Sequence, residues 1–295
     1  MIRIELQVGL QYQLAFATDL LFNVHAAHTP RQLVTNENFL VRPDLALQTF
    51  SDPLTGNRFV RMRAPPGNFE LSYSATVDLN HYRAQPSSLA EIAVNDLPPA
   101  AIPYLFPSRY CESDRLFNLA HREFGGLRPG HERVDAIRSW VRRHVTFRQN
   151  VTNSNTSAIT TLVEQVGVCR DFAHLMIALC RAVNVPARFV TGTDYGADPA
   201  LGPQDFHAYV EVYFGGGWYI FDPSGLAIPM GFVRIGTGRD AADVAFATLF
   251  GGFTARPPTI RAVAVNDPAN GFELPIHTSD ALSTDVATGT PFATL

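Results

Sequence analysis

Phe206-His207-Ala208-Tyr209-Val210-Glu211-Val212-Tyr213-Phe214-Gly215-Gly216-Gly217-Trp218-Tyr219-Ile220-Phe221-Asp222 alternates along its first nine residues, with Phe206, Ala208, Val210, Val212 and Phe214 as one apolar set. That period of two belongs to a strand with one face on a core, and glycines between two β-prone runs predict a hairpin. His207 falls on the other face with Tyr209, Glu211 and Tyr213. Pairing about a turn near Gly215 sets Asp222 opposite His207 or on the adjacent diagonal, on the same face in either register. A carboxylate beside an imidazole fixes its tautomer and favours imidazolium. Taken singly, His207 reads as a solvated strand histidine and Asp222 as a turn cap before Pro223.

Upstream, Gly167-Val168-Cys169-Arg170-Asp171-Phe172-Ala173-His174 places a cysteine where a helix begins, with an apolar face of Phe172, Ala173, Met176, Ile177, Cys180 and Val183 that stops before Pro186. Free N–H groups and the positive end of the helix dipole stabilise a thiolate there. A lone cysteine so placed is more often a buried structural thiol. What lowers that reading is the conjunction: His207 follows Cys169 by 38 residues, and Asp222 follows His207 by 15.

Neighbouring groups read as structural. His174 lies about 140° around the helix from Cys169 and is expected to make a structural hydrogen bond. Asp171, in the first turn, favours the dipole but opposes a thiolate, so an ion pair with an Arg is expected. Arg234, Arg239, Asp240 and Asp243 are expected to pair or be solvated. Cys169, His174 and Cys180 match no common zinc-ligand spacing, so neither metal nor cofactor is assigned.

Working outward, Ile2, Ile4, Leu6, Val8, Leu10, Tyr12 and Leu14 alternate with polar residues or Gly9, and Phe69, Leu71, Tyr73, Ala75, Val77 and Leu79 do so on odd positions. Residues 1 to 84 therefore read as an antiparallel β-sandwich. Pro86, Pro98, Pro99, Pro103 and Pro107 mark 85–108 as a linker. Helical spacing follows at Leu116, Leu119, Ala120 and Phe124, then at Val134, Ile137, Val141 and Val145, with a short helix near Ala158 to Gln165. The expected organisation is α+β: sandwich, linker, a second domain over 109–265, and a loose or draped tail over 266–295. Residues 1 to 84 assemble no nucleophile, base and carboxylate set. The sandwich is thus expected to be accessory, and a chain starting near Ser108 to keep its thiol reactivity.

Composition removes whole classes of function. Twenty-three basic residues face 27 acidic ones for a net charge of −4, with no basic run to meet nucleic acid or an anionic membrane. Every basic residue is Arg; without Lys there is no Schiff-base or phosphate-loop lysine, and no side-chain amine for self-cross-linking. No window reaches the ~18 apolar residues of a spanning helix, and no secretory leader is visible at the amino terminus, so a cytoplasmic location is expected. Three cysteines, Cys111, Cys169 and Cys180, form no disulfide or zinc pattern.

With Gly167 to Leu175, Pro186 to Val190, Phe206 to Tyr213 and Trp218 to Ser224 in view, the sequence closely resembles the transglutaminase-like superfamily, in particular its bacterial cysteine-protease-like members. The region with the Asp52 to Asn57 turn resembles their amino-terminal β-domain. The resemblance implies a papain-like catalytic fold in which Cys169 is the nucleophile, His207 the general base and acid, and Asp222 the group orienting His207. It implies attack of a thiolate on a peptide or protein amide, giving an acyl-enzyme resolved by water or an amine. The Cys169 N–H is the expected oxyanion donor, with Gln165 a weak second candidate. Two other readings stand beside it: a silent interaction module with the same fold, and an arylamine acetyltransferase-like enzyme with a thioester acyl donor.

Overall fold

A computed structural model describes residues 1–201 and 203–287. The amino-terminal strands are β1 Ile2–Leu14, β2 Thr18–Phe22, β3 Gln32–Arg42, β4 Gln48–Ser51, β5 Arg58–Ala64, β6 Gly67–Leu79 and β7 Tyr82–Ala84. Then come α1 Phe117–Phe124, α2 His131–His144, β8 Thr146–Phe147, α3 Ala158–Glu164, β9 Val166–Gly167 and α4 Cys169–Ala182. The chain continues as β10 Ala187–Thr193, β11 Phe206–Phe214, β12 Gly217–Phe221 and β13 Val233–Gly238, and ends in β14 Ala247–Phe250, β15 Phe253–Ala255, β16 Thr259–Val265 and β17 Ala281–Ser283.

Every even position of β1 and every odd position of β6 from Phe69 is buried, and the two pair from Ile2↔Leu79 to Leu14↔Gly67. That single register keeps both apolar sets on one face, because a one-residue slip would turn one of them to solvent. The sandwich is α+β's β half, as expected, but residues 1–84 do not complete it. β15 and β16 pair with β1, and β14 pairs with β2. The boundary at 265 is thus corrected: residues 247–265 return to the sandwich, where Ile260 and Ala262 join its core. Their alternation is visible in the sequence; the open edges of β1 and β2 that receive them are not.

The second unit is an antiparallel sheet of order β12-β11-β10-β13 with α4 against it. Leu175, Met176, Leu179 and Cys180 meet Ala208, Val210 and Val212 in one core. The linker is built into this unit: Leu89 is in the core, its carbonyl accepts the His131 N–H, and Glu91 pairs with Arg133. No helix among the described residues is long and apolar enough to cross a membrane.

β13 is an edge strand, and an edge leaves N–H and C=O groups to satisfy. Two sandwich amides do so. Gln32 donates to Arg234 O and accepts from its N–H, both at 2.8 Å, and Asn57 does the same with Thr237, also at 2.8 Å each way. A chain starting near Ser108 would lose these caps.

The tail is draped rather than loose over residues 266–287. β17 pairs with β7, Leu282 is buried against Val190, Tyr209 and Phe232, and Asp285 reaches a buried ion cluster. In that cluster Glu211 accepts from Arg188 at 2.7 and 2.5 Å and from Arg234 at 3.4 Å; Asp285 accepts from Arg234 at 2.7 Å and also from Arg188. The rest of the expected tail, residues 288–295, lies outside the described residues. Burial alone would raise the Asp285 carboxyl; the two guanidiniums outweigh it and hold the group well below its ordinary 3.8. A depressed folded value stabilises the fold fully above the ordinary value and loses that contribution as pH falls toward the depressed one. Asp285→Ala is expected to cost about 2 to 3 kcal/mol in urea unfolding at pH 7, under the ~3–5 of a fully broken buried pair because Glu211 remains. The deficit should shrink below pH 4, and a variant equal to the parent at pH 7 removes the tail from the stability of this unit.

Candidate active site

The site begins with how α4 starts. Val168 is extended, and its N–H donates to Asp171 Oδ2 at 2.9 Å, so the third helical residue caps its own helix. Asp171, 0% exposed, also takes Arg170 at 3.1 and 3.2 Å. Gly167 makes this possible: a Cβ there would stand 2.7 Å from that of Asp171. β9 ahead of it pairs in parallel with β8, and the Arg148 N–H bonds the Gly167 carbonyl at 3.0 Å. Cys169 therefore opens a buried helix on a braced lead-in, yet remains only half-buried. Its N–H belongs to the first turn, which has no intrahelical acceptor.

The hairpin turns at Gly215 and Gly216, both at positive φ, and pairs Phe214↔Gly217 up to Val210↔Phe221. One further step sets Asp222 opposite Tyr209, so the diagonal register is the real one, and Asp222 shares a face with His207. The solvated-strand reading of His207 is not what the fold makes: both faces of β11 are buried, with Tyr209 and His207 packed on Phe232.

His207 Nε2 stands 3.5 Å from Asp222 Oδ1, both side chains at most 4% exposed. At that length the contact is an ion pair rather than a hydrogen bond, and neither Nε2 nor Asp222 Oδ2 has a hydrogen-bond partner. The Cys169 thiol acts electrostatically on the same imidazole, and with Nε2 turned to Asp222, Nδ1 is the nitrogen left for it. Burial by itself pushes His207 down, but Asp222, with Cys169 adding to it, holds the imidazolium well above 6.5. For Asp222, burial pushes up, and His207 together with two hydrogen bonds from Ser224 brings the carboxyl below 3.8. The structure thus sets Asp222 beside His207, with Cys169 acting on the same ring from α4.

Residues 118–223 match the transglutaminase-like superfamily, and residues 2–100 match the bacterial transglutaminase N-terminal domain. Over 96% of its length the chain resembles the structure of a "putative cysteine protease" from Cytophaga hutchinsonii, with a TM-score of 0.89 and 39% identity across 97% of that protein. The chain belongs to the transglutaminase-like superfamily. Curated relatives include an uncharacterised Mycobacterium leprae protein, 31% identical over 117 residues (38% of this chain, 42% of that one), and one from Mycobacterium tuberculosis H37Rv, 29% identical over 204 residues (65% and 62%). The transglutaminase-like chain thus spans 42 to 62% of the length of these curated relatives.

Other sequence candidates take the places their chemistry dictates. His174 is buried between Tyr110 and Phe189, with Nε2 accepting the Ala241 N–H at 3.2 Å; burial first, then Arg170 and Arg181, keep it far below 6.5 and neutral. Gln165 ends α3 in the left-handed region, with an exposed side chain. Arg239 pairs with Asp243 at 2.9 Å, and Asp240 accepts the N–H groups of Tyr110 and Ala242 at 2.9 Å each. Sequence reading passed over Arg188 and Ser224. A charge flanked by apolar strand residues, as in Ala187-Arg188-Phe189, is the signal for the first, and the Asp-x-Ser turn spacing for the second.

Proposed function

We propose that this transglutaminase-like protein performs thiol-dependent acyl transfer or hydrolysis at a peptide or protein amide. The observation that carries the reading is the half-buried Cys169 at the first turn of α4, electrostatically coupled to an imidazole that faces a buried carboxylate. In this reading His207 takes the thiol proton and the thiolate attacks the amide carbonyl carbon. The C–N bond breaks as imidazolium gives its proton to the leaving amine, and a thioester remains on Cys169. Water or an amine then attacks the thioester, His207 accepting its proton and the thiol reforming. The Cys169 N–H, free of the helix ladder, supports the oxyanion. The donor amine for any cross-link comes from another molecule, because this chain has no Lys.

Two measurements test the reading. Intact-mass analysis after incubation with glutamine and peptide amides should show an acyl adduct that maps to Cys169; an adduct elsewhere overturns the assignment, and one formed only from acyl thioesters selects the acetyltransferase-like alternative. Iodoacetamide at neutral pH should label Cys169 first. Cys111 and Cys180 are fully buried, and burial pushes Cys111 up to about 12 and Cys180 further still. Faster labelling of either would remove Cys169 as the reactive thiol.

A further inference from the structure

We propose that Ser224 is a positioning residue of this site, holding the Asp222 carboxylate toward His207 through the one oxygen that faces the imidazole. The inference rests on the reading of Cys169, His207 and Asp222 given above. Ser224 Oγ donates to Asp222 Oδ1 at 2.6 Å, and the Ser224 N–H donates to the same oxygen at 3.0 Å. Oδ1 is also the atom 3.5 Å from His207 Nε2, while Oδ2 has no hydrogen-bond partner. Three contacts therefore converge on one oxygen, and they fix the carboxylate's rotation.

A turn alone would explain part of this. An Asp whose side chain accepts the N–H two residues on is an ordinary turn former, and asparagine would serve as well. The turn does not require the hydroxyl, nor does it explain why the carboxylate is buried with one oxygen left open. The hydroxyl is itself held, since Oγ accepts the Leu226 N–H at 3.4 Å. Beyond it, the Arg142 guanidinium packs on Gly225, where a Cβ would lie 2.6 Å from its central carbon. The serine is thus braced from behind and spends its one proton on Asp222.

The charged groups around Asp222 are His207 from β11, Cys169 from α4 beyond that ring, Asp194 just past β10, which interacts with both His207 and Asp222, and Arg142 from α2 over Gly225. None of these donates to Oδ1 in the way Ser224 does. Removing the hydroxyl should let the carboxylate rotate and protonate at higher pH, taking imidazolium's partner away sooner as the solution is acidified.

The test follows Cys169 alkylation against pH in the full chain, with the site read by peptide mass, for the parent, Ser224→Ala and Ser224→Thr. The alanine variant should move the acid limb up by roughly one pH unit and lower turnover roughly tenfold, the scale of one charge-assisted hydrogen bond; threonine should restore both. If the alanine variant does not fold, Ser224→Cys, a weaker donor of similar shape, should show the same shift. An acid limb unmoved in a folded variant, or a shift that threonine fails to rescue, overturns the role of Ser224 alone. A parent protein whose Cys169 reacts like an ordinary exposed thiol overturns the underlying reading instead.

Discussion

Cys169→Ala is expected to bring amide turnover to background, a loss on the order of 10⁴-fold or more, with the fold intact. Removing the nucleophile removes the acyl-enzyme route outright, and single members of such units can cost nearly the whole catalytic effect. The side chain is only half-buried and the α4 cap runs through Val168 and Asp171, so the helix start does not depend on the sulfur. His207→Ala should lose comparable activity but is the less clean experiment, because it leaves Asp222, 4% exposed, without its ion partner. Turnover of purified Cys169→Ala within tenfold of the parent, alongside a superimposable thermal melt, would take Cys169 out of the chemistry.

Asp222→Asn is expected to lower turnover by about 10 to 10³-fold. The comparable change in a serine triad costs about 10⁴, but a thiolate–imidazolium pair depends less on its third member because the thiol ionises more readily. The amide fits: its oxygen still accepts the Ser224 hydroxyl and N–H, so the turn survives. What goes is the charge that outweighs burial at His207. The sign follows. His207 is held above its ordinary 6.5 by Asp222, so without that charge the imidazolium is lost at lower pH and its window retreats from the alkaline side. Following the His207 ring by NMR titration, with kcat against pH, reads this directly. An unmoved titration with unchanged turnover would leave Asp222 as a turn former.

Much of this was legible in the sequence because it is periodic or local. Alternation in β1, β6 and β11 names the strands and their buried faces, and the three- and four-residue spacing after Cys169 names α4 and its start. The His207–Asp222 pairing could be narrowed to two registers, since period two and a short glycine turn leave little freedom. Cys169 could be placed at a helix terminus without coordinates, because breaker, apolar spacing and polar first turn are neighbours in the chain.

Tertiary structure decided whatever depends on residues far apart in sequence. Nothing local in Thr259–Val265 says that it will pair with Ile2–Leu14, because the vacancy lies on another strand's edge. Gln32 and Asn57 look like ordinary polar strand and turn residues, yet their amides complete the edge of β13 some 180 to 200 positions away. Arg188, Glu211, Arg234 and Asp285 become one buried cluster only when a tail segment closes over β11. Local steric and hydrophobic preferences set each element, whereas ion-pair geometry, edge closure and the 3.5 Å approach of His207 to Asp222 depend on how those elements meet.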